Sequence, residues 1–339
     1  MPQDNYHDLN IDIYTPSFTG CSTLPPPSQV ALLVEQGAFT IPEKPVCDQL
    51  VQDYFHWVAP VLPVLDRSTF LRQYEAMGVN ACPSLLLLQA MFLAASRVSQ
   101  SSLLLTQAGS GVSMAEIFYE RAKALYDAAY ECDQIATLQA VVLMGWYCGQ
   151  AKPTETTFYW SRIAIYTAQS IGLHRMLVSE LLSTTPSSDA ELSSAKSNLP
   201  FSEKQLYKRI WWTLFTRDRY LSVCLGSPLA IDLADCDVET ITDADFANTE
   251  ETPLTEVVTS WREAQFFVAY AQLSEIIGHI YTTHYSATSN IDEEAEILDY
   301  DSCLAGWLQA LPPALLWQGT SHEYWASLLR LHYCYMPSS

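Results

Sequence analysis

The chain has 339 residues, 49% of them hydrophobic and 16% charged, which is enough apolar sequence for one large domain or two smaller ones. Its 17 basic and 38 acidic residues give a formal net charge of −21. This balance argues against a protein that grips duplex DNA directly, because phosphate contacts need clustered Lys and Arg.

The N-terminal segment is rich in proline and predicts an extended linker over residues 1–46. Its prolines are Pro2, Pro16, Pro25, Pro26, Pro27, Pro42 and Pro45. At most a short helix is expected near residues 30–36. A single domain is predicted to follow over residues 47–339. The polar start of the chain does not have the pattern of a signal peptide.

Beyond the linker, apolar residues recur at helical spacing and predict an all-α fold. The predicted helices cover residues 48–58, a short segment around Phe70, then 83–99, 113–132, 135–148, 154–171, 206–225, 255–285, 292–311 and 324–335. The segment 83–99 is hydrophobic nearly all round, which is typical of a central buried helix. Short connections suggest a multi-helix array of antiparallel helix pairs, and the Ser- and Thr-rich stretch 177–202 predicts a surface loop.

The helix predicted over 206–225 places a carboxylate in its apolar stripe. At about 100° per residue, Asp218 projects in line with Trp211 and Leu225. A buried carboxylate needs a partner, and Arg217, Arg219 or Arg175 could supply one. Two interpretations are open: a polar anchor for a ligand, or a structural ion pair that joins helices.

The sequence carries no complete motif of catalysis or metal binding, and we predict neither an enzyme nor a bound cofactor or metal. The nine cysteines contain no CxxC pair and are interpreted as reduced core thiols. Gly109 and Gly111 begin a glycine-rich loop that lacks the third glycine and a preceding strand. His322 opens an incomplete H-E-x-x-H pattern. The acidic stretch after residue 231 lacks the glycine turn of a calcium loop.

Three sequence blocks resemble the fungal-specific transcription factor domain, the helical middle region of zinc binuclear cluster regulators. They are LVQDYFHWVAPVLPVLDRSTFL (50–71), FYWSRIAIYTAQSIGLHR (158–175) and RIWWTLFTRDRYLSVCLGSPLAIDLADCDVE (209–239). The family-signature positions are Arg209, Trp211, Trp212, Asp218, Arg219, Gly226, Pro228, Asp235, Cys236 and Asp237, together with Gly172, His174 and Arg175 in the second block. We interpret these positions as mainly structural.

The resemblance implies the regulatory domain of a transcription factor in the nucleus that controls a metabolic gene set through ligand response or protein contacts. Expected partners are coregulators, a second copy of the chain or a small apolar effector. Zinc is expected only in a cluster that this chain lacks, so DNA would be reached through a missing module or a partner. The family's last segment runs on into further helices, which suggests that the chain is truncated at its C-terminus. The alternative function is a stand-alone protein that binds or processes a small molecule on the same scaffold.

Overall fold

The structure is a computed structural model that describes residues 26–76, 83–100, 113–147, 153–175, 200–247, 254–284, 293–317 and 323–334. Within these ranges every regular element is a helix, and the helices pack in pairs, which confirms the predicted all-α fold. Residues 1–25 of the predicted linker, residues 177–199 of the predicted loop, Gly109, Gly111 and His322 lie outside the described ranges.

The described part contains eleven α-helices whose bounds follow the predicted pattern closely. They are α1 (Pro27–Glu35), α2 (Lys44–Asp53), α3 (Arg67–Glu75), α4 (Leu85–Ser96), α5 (Met114–Asp127), α6 (Gln134–Met144), α7 (Pro153–Ser170), α8 (Phe201–Leu225), α9 (Leu254–His284), α10 (Glu293–Ala310) and α11 (Tyr324–Cys334). A π-helical turn, Tyr54–Val58, continues α2, and 3₁₀ turns lie at Leu233–Asp235, Asp243–Phe246 and Pro313–Leu315. None of the described helices combines the length and the apolar character that a membrane crossing needs.

The chain forms two compact units. The single domain over 47–339 stays a prediction. One unit comprises the described residues of 1–58 and 67–157, and the other those of 59–66 and 158–339. Helices α1 to α6 lie in the first unit. The second unit contains α7 from Phe158 onward and α8 to α11.

Helix α4 is the centre of the first unit. Its residues from Leu85 to Ala95 are all buried, and it packs against α2, α5 and α6. Gln89, the one polar side chain in this run, donates from Nε2 to the carbonyls of Ala38 and Thr40 at 3.2 and 2.9 Å. Because a buried amide must be hydrogen-bonded, Gln89 ties α4 to the segment after α1.

Residues 27–35 form α1, which overlaps the short helix expected near residues 30–36 and begins three residues earlier. Pro27 occupies the first helical turn, where a missing N–H costs nothing. Gly37 ends the helix with φ +67°, and Leu33 and Phe39 are buried in the first unit. Prolines that suggested a linker therefore mark a helix start here.

The second unit has its own core, built from α9, α10 and α11. The buried members of this cluster are Phe266, Ala269, Tyr270, Leu273, Trp307, Leu311, Leu315 and Leu329. Trp307 donates its indole N–H to the carbonyl of Ala269 at 3.1 Å, so the ring is fixed in both packing and hydrogen bonding. Helix α8 packs along α9 and carries the residues discussed below.

The described cysteines differ from the predicted set of reduced core thiols. Cys47 is a buried free thiol, and burial raises its pKa to about 12. Cys224, Cys303 and Cys334 are free but exposed, and Cys132 is disulfide-bonded. The predicted core position is therefore wrong for Cys224, Cys303 and Cys334, because an apolar sequence context does not decide which face of a helix a thiol occupies. The predicted reduced state is wrong for Cys132.

Candidate functional site

Helix α8 ends in a sharp reversal that the sequence dictates. Gly226 has φ +62°, a left-handed conformation that glycine adopts without strain, and its N–H bonds the carbonyl of Ser222. The N–H of Ser227 bonds the same carbonyl at 3.1 Å. Pro228 follows and cannot continue a helix. The chain therefore leaves α8 and turns back beside it.

The segment 226–246, which we call the return loop, runs antiparallel along α8. Near the C-terminal end of the helix, Arg219 donates to the carbonyl of Ile231 at 2.8 Å. Further back, Trp212 donates its indole N–H to the carbonyl of Glu239 at 2.9 Å. Near the N-terminal end, the Gln205 side chain donates to the carbonyl of Ala244 at 2.6 Å. The loop has only two 3₁₀ turns of its own, so side chains of α8 satisfy its backbone.

Asp218 anchors the start of the return loop. Its side chain is 2% exposed, and it accepts from Nη1 of Arg219 at 2.8 Å and from Nη1 of Arg162 at 3.1 Å. It also accepts from the backbone N–H groups of Ala230, at 3.0 Å, and Ile231, at 3.0 Å. A buried carboxylate is tolerable only when such donors replace water, and here two cations and two amides do so.

Of the partners considered for Asp218 from the sequence, the structure provides Arg219 and adds Arg162. The ion pairs of Asp218 do not include Arg217 or Arg175. Arg162 lies on α7 within the second signature block, 56 positions before Asp218. No spacing rule connects residues so far apart, so the only available signal was the shared family pattern.

Arg219 is buried as deeply as its partner. Its side chain is 5% exposed, and the guanidinium carbon lies 4.0 Å from the centre of the Phe215 ring. Burial lowers the pKa of Arg219, and the charge of Asp218 opposes that effect. Arginine stays protonated in proteins, so the Arg219 side chain keeps its positive charge.

Arg162 fastens α7 to the first residues of the return loop. Its Nη2 donates to the carbonyl of Pro228 at 2.6 Å while Nη1 holds Asp218. The guanidinium also lies 4.6 Å from the centre of the Phe158 ring. The planar fork of arginine can serve both acceptors at once, which a lysine ammonium does less well.

The end of α7 contacts the return loop at a second point. Gly172 has φ +78°, which turns the chain so that the backbone carbonyl of His174 accepts from the N–H of Asp237 at 3.0 Å. The imidazole of His174 lies 6.0 Å from the ring of buried Trp211. Arg175 closes this turn through its own N–H, which bonds the carbonyl of Gly172 at 3.2 Å. The second and third signature blocks therefore meet through backbone as well as side chains.

Two further basic residues of α8 face acids. Lys208 lies 2.9 Å from Asp245 and 3.8 Å from Glu239 in the return loop. Arg209 lies 3.7 Å from Asp66, which belongs to the first signature block. Lys208, Arg209 and Arg219 of this helix are therefore each paired with an acidic side chain.

The acidic tip of the return loop is organised by short local bonds. Asp232 accepts from the N–H of Ala234 at 2.9 Å, and Asp235 is exposed in the 3₁₀ turn that follows. The Cys236 thiol donates to the carbonyl of Asp232 at 3.0 Å. Burial and the neighbouring carboxylates Asp235 and Asp232 raise the pKa of Cys236 to about 11, so the thiol stays protonated at neutral pH. Among the residues that the structure describes, no three His, Cys, Asp or Glu side chains are grouped to hold a metal ion.

Comparison with known proteins places these blocks in a family. The family model described as "Fungal specific transcription factor domain" matches residues 51–318. Cutinase transcription factor 1 alpha of Fusarium vanettenii is 40% identical over 308 residues, which cover 90% of this chain and 32% of that protein. The acetamidase regulatory proteins of Aspergillus oryzae and Emericella nidulans are 27% and 26% identical over 299 residues, covering 87% of this chain and 34% of each of them.

The chain thus spans about a third of the length of the curated relatives it matches. No solved structure matches it. The relatives carry the names of transcription regulators and not of enzymes, in agreement with the non-catalytic function predicted from the sequence. Because the family model covers most of the chain and the relative from Fusarium vanettenii shares 40% of its residues, the chain belongs to the family of fungal specific transcription factor domains.

Proposed function

We propose that this chain is the regulatory domain of a nuclear transcription factor that controls a metabolic gene set and does not itself read a specific DNA site. Two of its relatives are named for the cutinase and acetamidase systems that they regulate, which supports control of metabolic genes. The domain acts by responding to a ligand or by contacting other proteins.

The pairing of the basic residues of α8 carries the second half of this proposal. A protein that reads DNA presents free Lys and Arg to phosphates. Here Lys208, Arg209 and Arg219 lie against Asp245, Asp66 and Asp218 instead. This protein has a formal net charge of −21, and three basic residues of α8 already face acids, so DNA would have to approach an acidic surface.

The signature residues support the same function, because their polar side chains hold the return loop in place instead of facing a reactant. Asp218, Arg219 and Arg162 use their polar atoms on one another and on the return loop. The network holds a 21-residue segment, 226–246, that has little regular structure of its own. Such loops are seldom kept in a compact domain without a role in binding or control.

Contact with other proteins is favoured by large apolar side chains at the surface of the second unit. Trp261 of α9 and Tyr324 of α11 are 54% and 50% exposed, and each is the sequence neighbour of one member of the ion pair between Arg262 and Glu323. Exposed aromatic residues beside a polar pair are typical of the anchors of protein interfaces.

A fluorescence anisotropy titration with labelled duplex DNA tests the proposal. At roughly 150 mM salt we expect no saturable, sequence-dependent binding by this chain, because few phosphate contacts are available. The matched variant Asp245→Asn removes the charge of the nearer of the two acids that face Lys208 and leaves the partners of Asp218 in place. It should bind no specific sequence either. Tight binding that distinguishes one duplex from a scrambled control would contradict the proposal.

A further inference from the structure

Helix α9 comes close to the side chain of Arg219 at a glycine. A Cβ atom built on Gly278 would lie 2.8 Å from Nε of Arg219, 3.4 Å from its Cγ and 3.6 Å from its Cδ. Real Cβ contacts do not come so close, so any larger residue at 278 requires either Arg219 or α9 to move. Glycine in the middle of a helix costs stability, which indicates a packing reason at this position.

Arg219 has little freedom to yield to such a contact. Its Nη1 is held by Asp218 and by the carbonyl of Ile231, both at 2.8 Å, and its face lies on the Phe215 ring. The Nε atom, which faces α9, is buried and makes no hydrogen bond. The guanidinium is therefore held at Nη1 and across its face, and its Nε lies where a side chain at position 278 would begin.

The same guanidinium reaches the return loop directly and through Asp218. A shift of this guanidinium would disturb two contacts of Nη1. Nη1 donates to the carbonyl of Ile231, and it also donates to Asp218, which accepts from the N–H groups of Ala230 and Ile231. One turn further along α9, the hydroxyl of Tyr281 donates to the carbonyl of Ser227 at 3.1 Å. Helix α9 thus contacts the first residues of the return loop at Tyr281 and controls the next ones through Arg219.

We propose that the contact between Gly278 and Arg219 couples the position of α9 to the seating of the return loop at Ala230 and Ile231. A partner or ligand that displaces α9 then loosens this part of the loop, and one that fixes the loop immobilises α9. The proposal deepens the regulatory function proposed above and rests on it for its biological meaning. The coupling itself is a property of this chain and can be measured without DNA or a partner.

Amide hydrogen exchange of the isolated chain tests the coupling. Gly278→Ala should make the amides of Ala230 and Ile231 exchange roughly tenfold faster, because the displaced guanidinium no longer orients Asp218. The amide of Asp237, which bonds the carbonyl of His174 elsewhere in the loop, should keep its protection. The matched control is Gly306→Ala on α10, where an added Cβ meets nothing within 4 Å, and it should leave all three amides unchanged.

The outcomes separate local coupling from general loss of stability. Equal acceleration at Ala230, Ile231 and Asp237 would show that Gly278→Ala only destabilises the fold, and unchanged exchange would show that α9 and the loop are independent. Either result overturns the proposal. The DNA titration tests the proposed function and the hydrogen exchange tests the coupling, so one proposal can be contradicted while the other still holds.

A double-mutant cycle covers the case in which Gly278→Ala does not fold. Arg219→Ala removes Cγ, Cδ and Nε, the three atoms that the new Cβ would meet, so adding Gly278→Ala to Arg219→Ala should change the exchange of Ala230 and Ile231 by less than about twofold. A further large acceleration in the double variant would show that Gly278 acts through some other neighbour, and the coupling through Arg219 would be wrong.

Discussion

Replacing Asp218 with alanine should destabilise the second unit strongly. The change removes the acceptor of two arginines and two backbone amides. Arg219, with 5% of its side chain exposed, would remain as a buried cation without a counter-ion. Breaking a buried ion pair in this way costs about 3–5 kcal/mol. The N–H of Ile231, left without an acceptor, contributes to that loss on the order of 1–3 kcal/mol.

The matched control is Asp235→Ala in the same loop. It removes the same charge from an exposed side chain, so its effect should stay within about 0.5 kcal/mol. Urea unfolding followed by far-UV circular dichroism measures both variants, with the slope m checked for a constant change in exposed surface. Because the chain has two compact units, the shift is expected only in the transition of the unit that contains α8. A loss below about 1 kcal/mol for Asp218→Ala would refute the reasoning from burial and pairing.

Three further predictions concern Arg162, His332 and Cys236. Arg162→Lys should cost about 1–2 kcal/mol of unfolding free energy, because lysine cannot keep the bonds to both Asp218 and Pro228 and the Arg162 side chain is 27% exposed. Urea unfolding measures this loss, and a loss as large as that of Asp218→Ala would contradict the prediction. Burial lowers the pKa of His332 to about 4 from 6.5, so its stabilisation is complete above about pH 6.5 and is lost as the pH falls toward 4. Between pH 7 and pH 5 the wild type should therefore lose about 1–2 kcal/mol more of its unfolding free energy than His332→Phe does. Urea unfolding measures both proteins, and parallel pH profiles would contradict a lowered pKa of His332 in the folded state. Cys236, whose pKa is raised to about 11, should react with iodoacetamide at least ~10-fold more slowly at pH 8 than the exposed Cys303. Mass spectrometry of the labelled peptides measures both rates, and equal rates would contradict the raised pKa of Cys236.

The helices could be predicted from the sequence because their signals are local. Apolar spacing of 3.6 residues predicted α8, and the breakers Gly226 and Pro228 placed its end at Leu225, although the helix begins at Phe201 and not at the predicted residue 206. The placement of Asp218 on the buried face followed from the same periodicity. Helix α1 was less clear, because a proline in the first turn and a proline in a linker look alike without the packing of Leu33.

The contacts of the site could not be predicted, because they join residues that are distant in sequence and use backbone atoms. Arg162 lies 56 positions from Asp218, and the N–H groups of Ala230 and Ile231 carry no side-chain signature. Gly278 gave the one readable sign, an isolated glycine within a helical pattern. Its meaning depended on knowing that Arg219 lies opposite.

The central claim is that this chain regulates transcription without reading DNA, and a reporter assay in a fungal host tests it most directly. The chain is fused to an unrelated DNA-binding module whose site precedes a reporter gene, and transcript levels are compared with those from the module alone and from the unfused chain. The account predicts that the fusion changes reporter transcription and that the unfused chain does not. A fusion that leaves transcription at the level of the module alone, or an unfused chain that acts on the reporter by itself, would contradict it.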